Sequence, residues 1–197
     1  MSEVRVLEKR RVFDDVFKID EAVVEYRTHD GSWKGPTRHL TFERGDSVAA
    51  LLVVRETGNL LLVRQFRYPT YAKGPGWLDE IVAGGLREDE TAEEAMVREI
   101  REETGYEPLA LEHIVTFYAS PGGMSERIIL FHGEVSLTKR RAESGDLGVG
   151  GEDIELIEKD ADTLWSEFTA GTLRDGKTIL ALLWHRLEGR GARASDR

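Results

Sequence analysis

Two carboxylates one helical turn apart, on the apolar side of a helix, mark where this sequence could do chemistry. They are Glu99 and Glu103, inside the stretch Gly84 to Tyr106, G-G-L-R-E-D-E-T-A-E-E-A-M-V-R-E-I-R-E-E-T-G-Y. Wound at roughly 100° per residue, Ala95 and Met96 fall to either side of Ala92, and Ile100 lies further round. Glu99 and Glu103 land between them, in the middle of the apolar stripe, while Arg98 and Arg101 point elsewhere. A buried carboxylate is costly unless it is paired or binds a metal. Oxygen ligands stacked at i and i+4 suit a hard divalent cation such as Mg²⁺. The competing reading is an acidic helix with a solvated face and i,i+4 pairs to Arg98 and Arg101. It leaves the inward carboxylates unexplained.

The helix that must carry them has clear ends. Thr91 is its expected N-cap, with Glu94 three residues on to complete a capping box. Gly105 is the expected residue after its last turn. Good helix formers (Ala, Met, Arg, Glu) fill the interior. At this point the stretch resembles the Nudix box, G-x5-E-x7-R-E-U-x-E-E-x-G-U, where U is aliphatic or bulky and apolar. Gly84, Glu90, Arg98, Glu99, Ile100, Glu102, Glu103 and Gly105 match its specified positions, and Tyr106 takes the last apolar one, a mild departure.

Composition narrows the class. The chain has 197 residues, enough for one domain with an appendage or two small ones. A hydrophobic fraction of 40% with four Trp supports a real core. No apolar run approaches the length of a membrane span, and the N-terminus M-S-E-V-R-V-L-E-K-R lacks the apolar stretch of a secretory signal, so a cytoplasmic protein is expected. With no cysteine, disulfides, zinc thiolate sites and cysteine nucleophiles are excluded. The net charge of −10 argues against nucleic acid as the main partner, since phosphate contacts need a basic surface. An anionic small molecule can still bind through local Arg or Lys and a cation.

Residues 1–43 read as short strands, with Phe17–Ile19 and Ala22–Arg27 extended, a turn at His29–Ser32 and a second arm over Thr37–Glu43. This segment is too small to bury its own core and must lie on the main domain or a second subunit. A hydrolase domain is expected over 44–190 and a disordered tail over 191–197. Val48–Val54 and Leu60–Phe66 predict a buried hairpin. Leu78–Val82, Leu111–Phe117, Ile128–Val135 and Ile154–Ile157 predict further strands. Lys139–Gly151 reads as a polar loop, and Asp162–Ala170 and Thr178–Leu187 as helices. Strands, a helix, strands, then helices suggest a mixed sheet between helical layers. That is an α/β (α+β) class, and it agrees with the α/β/α sandwich of the Nudix fold, here with a small N-terminal β segment.

The similarity extends beyond the box. V-R-Q-F-R-Y-P-T (Val63–Thr70), E-I-V-A-G-G-L (Glu80–Leu86) and Y-A-S-P-G-G-M-S-E-R (Tyr118–Arg127) resemble the nucleoside-diphosphate-sugar branch. Within it, G-E-D-I-E-L (Gly151–Leu156) and G-T-L-R-D-G-K-T (Gly171–Thr178) are most similar to GDP-mannose pyrophosphatases. The turn also resembles that of ADP-ribose pyrophosphatases, which share the pattern S-P-G-G-x-S-E-R.

The resemblance implies Mg²⁺- (or Mn²⁺-) dependent hydrolysis of a pyrophosphate bond. The substrate would be GDP-mannose, giving GMP and mannose 1-phosphate, or alternatively ADP-ribose. A non-catalytic ligand-sensing module would need a broken metal site, and Glu99, Glu102 and Glu103 are intact. By resemblance the ligands are Glu99, Glu103, the backbone carbonyl of Ala83 and Glu152. Glu102 holds a second ion or a bound water. Arg98 orients the ligand carboxylates, and Glu90 ties the loop to the helix. Glu152 is base, ligand or both, with Glu143, Asp146 and Asp153 as further acids. Arg67, Gly84, Gly85, Glu126 and Lys177 are expected at the substrate. In a homodimer, Phe17 would stack on the base while Arg38 and His39 reach the nucleotide from the other subunit.

Overall fold

The computed structural model describes residues 3–140 and 153–195. In chain order its elements are β1 (Val4–Asp14), β2 (Lys18–Arg27), β3 (Trp33–Glu43), β4 (Ser47–Val54), β5 (Leu60–Phe66), α1 (Tyr68–Tyr71), β6 (Trp77–Glu80), β7 (Val82–Gly85), α2 (Ala92–Thr104), β8 (Tyr106–Tyr118), β9 (Arg127–Arg140), β10 (Glu155–Lys159), α3 (Ala161–Thr169) and α4 (Gly176–Ser195). They gather into two compact units, Met1–Asp46 with Phe117–Ile128, and Ser47–Thr116 with Ile129–Arg197.

In the first unit β1, β2 and β3 form an antiparallel sheet in that order. β1 is not anticipated as a separate strand, and the register explains why. Its pairing with β2 shifts between Val6 and Glu8 and again between Arg11 and Phe13. Each bulge breaks the apolar–polar alternation by which a strand is read. Ion pairs fasten the sheet: Arg11 Nε reaches Asp20 Oδ1 at 2.9 Å, and buried Glu21 takes both Arg10 and Arg38. The expected turn forms where Asp30 accepts from the Ser32 amide at 2.9 Å and Gly31 adopts φ 84°.

The second unit holds a seven-stranded sheet with path β10-β5-β4-β9-β8, to which β6 adds on β5 and β7 on β4. β4 and β5 pair directly at Leu52–Leu61 and Val53–Leu60 and then part, β4 taking β7 as partner and β5 taking β6. One strand expected over Leu78–Val82 is therefore two, broken at Ile81. The Ile81 amide, outside the ladder, donates instead to Thr178 Oγ1 at 2.9 Å, so a buried donor is not left unpaired.

From Val48 onward β4 is apolar, and all of it but Val53 is buried, because helices cover both faces of the sheet. Val48, Ala50, Leu52 and Val54, with Leu61 and Val63, pack on Ala95, Met96 and Ile100 of α2. Their alternates Ala49, Leu51, Leu60 and Leu62 are buried too, with α4 packed on β4, α3 packed on α4, and Leu164, Ala181 and Leu182 at zero exposure. The second unit is the expected α/β/α sandwich, and the N-terminal β segment forms part of the first. β8, β9 and α4 run longer than their apolar cores suggest. Lys139 and Arg140, expected in a loop, close β9, and the rest of that loop lies outside the described residues. Among the described residues no helix is long and apolar enough to cross a membrane.

Candidate active site

Helix α2 begins and ends as its sequence dictates. Thr91 Oγ1 accepts from the Glu94 amide at 3.2 Å while Glu94 Oε2 accepts from the Thr91 amide at 2.9 Å. Gly105 closes it in the left-handed region at φ 72°. Its buried face is Ala95, Met96, Glu99, Ile100, Glu103 and Thr104, so the two carboxylates do point inward.

What they meet is backbone. The amide of Ala83, on β7, donates to Glu103 Oε2 at 3.3 Å. Gly84 lies so close to Glu99 that a Cβ built on it would stand 2.0 Å from the carboxylate carbon and from Oε1. A side chain at 84 would occupy the space that Glu99 now fills.

Arg98 binds this arrangement into one body. Its Nε and Nη2 grip Glu90 at 2.6 and 2.9 Å, Nη1 reaches Glu99 Oε1 at 2.6 Å and Glu102 Oε2 at 3.2 Å, and Nη2 also donates to the Gly85 carbonyl at 3.0 Å. Only a planar, permanently charged fork can serve four acceptors at once. The pairing holds the Glu90 carboxyl below its ordinary value and raises that of the guanidinium. Glu99 behaves oppositely: burial pushes its carboxyl up, and the hydrogen bond and charge of Arg98 offset only part of that.

Two buried carboxylates, one desolvated beyond what its arginine compensates, form a hard oxygen donor set that fits a small divalent cation. Among the described residues no three His, Cys, Asp or Glu side chains gather as a ready cage. The remaining ligands implied by resemblance are a main-chain carbonyl, Ala83, and Glu152. Glu152, Glu143 and Asp146 lie outside the described residues, and Asp153 is exposed.

A second polar cluster forms in the same unit. Arg67, at the end of β5, holds Glu80 through Nε at 2.8 Å and Nη2 at 3.2 Å. Lys177, in the first turn of α4, shares Glu80 Oε2 and reaches Asp175 Oδ1 at 3.0 Å. Burial alone would raise the Glu80 carboxyl, but Arg67 and Lys177 outweigh it and hold it low. Arg67 and Lys177 thus stand together, on a carboxylate the sequence reading did not single out. The helix signal at Asp175 was missed as well: it accepts from the Thr178 amide at 3.0 Å, making it the N-cap three residues ahead of the expected start.

In the first unit, Phe17 packs on Phe42 with ring centroids 5.1 Å apart, Arg38 pairs with Glu21, and His39 Nε2 lies 3.0 Å from Thr37 Oγ1. Glu126 is buried, with Arg44 Nε at 3.5 Å. An open cleft of about 480 Å³ lies elsewhere in the second unit, between Trp77, Arg174 and the Arg64–Asp79 and Lys159–Glu167 pairs. Those pairs already neutralise one another, and Arg64 follows Val63, whose side chain joins the α2 core. The cleft therefore faces away from Glu99 and Glu103.

A model of the NUDIX domain matches residues 43–155. A GDP-mannose pyrophosphatase of Pectobacterium atrosepticum is 36% identical over 183 residues, 92% of this chain and 93% of that one. A GDP-mannose pyrophosphatase of Cronobacter sakazakii is 34% identical over 188 residues, 94% and 96% of the two chains. A crystal structure of an ADP compounds hydrolase superposes with TM-score 0.74 at 15% identity, covering 96% of each chain, and so shares the fold. Likeness of this degree across nearly the whole length, around an intact inward pair of glutamates, settles the family: the chain belongs to the Nudix family and is a Nudix pyrophosphohydrolase.

Proposed function

We propose that the protein hydrolyses the pyrophosphate bond of GDP-mannose, releasing GMP and mannose 1-phosphate, with Mg²⁺ as its cation and Mn²⁺ as a substitute. The observation that carries this reading is the pair Glu99 and Glu103, buried on one helical face against the Ala83–Gly84 backbone. The relatives from Pectobacterium and Cronobacter, both GDP-mannose pyrophosphatases, favour GDP-mannose over ADP-ribose.

In this reading Glu99 and Glu103 hold the cation with the Ala83 carbonyl and Glu152. When bound, the cation neutralises charge on the non-bridging oxygens of the diphosphate. Arg98 fixes the Glu99 carboxylate, and Glu102, on the same guanidinium, stands ready for a second ion or a bound water. Gly85 lends its carbonyl to that fork, and Gly84 keeps the backbone open beside the ligand. Glu152 takes the proton from the attacking water. Arg67 and Lys177 receive the diphosphate and sugar, and Glu126 accepts hydrogen bonds from sugar hydroxyls.

The family likeness further supports a homodimer, in which Phe17 stacks on the base and Arg38 and His39 reach the nucleotide of the other subunit. Val4, Val6, Leu7, Val12 and Phe13 leave much of β1's apolar surface exposed, at 43–59%, which a partner would cover. Product analysis with Mg²⁺ on GDP-mannose, ADP-ribose, ADP-glucose and NADH tests the substrate. The largest kcat/KM should be for GDP-mannose, with GMP and mannose 1-phosphate as products. A higher value for ADP-ribose would move the assignment to the alternative.

A further inference from the structure

Arg67 and Lys177 come from elements far apart in sequence, the end of β5 and the first turn of α4, yet their charges meet on one buried carboxylate. Glu80 is 3% exposed. The Arg67 fork takes both of its oxygens, at 2.8 and 3.2 Å, and Lys177 Nζ shares the second. Two cations sharing one oxygen would repel each other without the charge between them.

The peptide that follows Glu80 is anchored to the same helical turn that carries Lys177. The Ile81 amide donates to Thr178 Oγ1, and Thr178 Oγ1 in turn donates to Asp175. Thr178 is fully buried. Glu80, Ile81 and the start of α4 are therefore tied to one another by hydrogen bonds. Ala83 and Gly84, which touch Glu103 and Glu99, follow two and three residues later. The distance between the two cations and the carboxylates of α2 is thus set by backbone and buried side chains. Arg67 keeps a side chain 40% exposed, within reach of solvent, while Lys177, 12% exposed, is held between Glu80 and Asp175.

We propose that Glu80 is a positioning residue for the substrate: it holds Arg67 and Lys177 side by side as a paired donor for a diphosphate-linked sugar, at a spacing fixed relative to the Ala83–Gly84 backbone. The inference rests on the reading of Arg67 and Lys177 as substrate contacts. Nothing in it requires Glu80 to touch the substrate or the cation. Its effect is felt in binding, because a loosened pair must be ordered again each time the diphosphate arrives.

The test is Glu80→Gln in the full chain, assayed with Mg²⁺ and GDP-mannose. Gln keeps the size but presents an amide donor to one of two cationic donors. The KM should rise about tenfold or more while kcat changes less than about threefold, because the pair binds and does not itself react. Mn²⁺ binding, followed by electron paramagnetic resonance without substrate, should match wild type. In a double-mutant cycle, Glu80→Gln added to Lys177→Met should raise KM by clearly less than Glu80→Gln does in the wild type, because Lys177→Met has already removed one of the two contacts through which Glu80 acts. An unchanged KM for Glu80→Gln, or full additivity in the cycle, would overturn the inference. If Glu80→Gln does not fold, Glu80→Asp decides: a raised KM with retained kcat supports the role, and a wild-type KM overturns it. Failure of the underlying reading looks different: Arg67→Gln and Lys177→Met would then themselves leave KM unchanged.

Discussion

Adding one methyl group at Gly84 tests the metal centre with the least disturbance to the fold. Gly84 does not need a glycine conformation, since its φ is not positive. An Ala there is resisted by contact alone: its Cβ would lie 2.0 Å from the Glu99 carboxylate carbon and Oε1, and 2.4 Å from Oε2. Non-bonded carbon contacts settle near 3.5–4.0 Å, so the carboxylate must retreat by about 1.5 Å or more. It has little freedom to do so, with Arg98 Nη1 held at 2.6 Å and Arg98 itself clamped by Glu90. Because the clash falls on the end of a side chain and not on backbone, the stability cost should stay at the low end of the ~1–3 kcal/mol range for overpacking. A ligand displaced by about 1 Å can cost ~10²-fold in rate, or about 2.7 kcal/mol at 1.36 kcal/mol per factor of ten. The expected result for Gly84→Ala is therefore a kcat/KM about a hundredfold lower, a weakened Mg²⁺ dependence and a melting temperature within a few degrees of wild type. Wild-type turnover with wild-type Mg²⁺ titration would show that the carboxylate packed against Gly84 is not a metal ligand, and the site assignment would fall with it.

Three further outcomes follow from the same geometry. Glu103→Gln can still accept from the Ala83 amide but loses its charge, so kcat should fall by at least ~10²-fold while circular dichroism and melting stay near wild type; a normal rate would remove Glu103 from the metal site. Glu152→Gln should lower kcat by orders of magnitude at saturating Mg²⁺, and a loss under about tenfold would move the base to Glu143, Asp146 or Asp153. His132 and His185 stack at 5.7 Å, and burial depresses both imidazoles below their ordinary value, with Glu112 and Glu134 opposing this at His132, and His132 and Arg186 adding to it at His185. A depressed folded value means the unfolded chain binds protons first, so stability should be complete above about pH 6.5, the ordinary imidazole value, and fall as pH drops through the lower folded values. Urea unfolding between pH 7.5 and 5 should show that fall, and His132→Leu should flatten it; an equal slope in the variant would place the titration elsewhere.

How much of this was legible in the sequence depends on the range of the interaction. Helix α2 was readable to the residue because its signals are local: the cap pair Thr91–Glu94, the glycine at 105 and two acids set into an apolar stripe. The buried run of β4 was readable because apolar residues on both faces of a strand need cover on both sides. β1 was hidden by two bulges that break the alternation, and the split of β6 from β7 by a single residue whose amide is satisfied from α4, 97 positions away. The Arg67–Glu80–Lys177 cluster was unreadable for the same reason. Resemblance alone points to Arg67 and Lys177, nothing local points to Glu80, and only the fold puts the three on one another.

The two networks of the second unit share one logic with opposite sign. Around Arg98, one cation gathers Glu90, Glu99 and Glu102, and the surplus of negative charge is left where a divalent cation is proposed to bind. Around Glu80, one carboxylate gathers Arg67 and Lys177, the two cations proposed to meet the diphosphate, while Asp175 holds Lys177 from its other side. Each central group is more buried than at least one of its partners, and each is held by more than one hydrogen bond, so it acts as a fixed post while the outer groups face the ligand. A metal-bound diphosphate is itself a pairing of positive and negative charge. A site that offers anions from α2 and cations from β5 and α4, joined through the short backbone run from Glu80 to Gly84, matches both signs of that ligand without requiring the net charge of −10 to change.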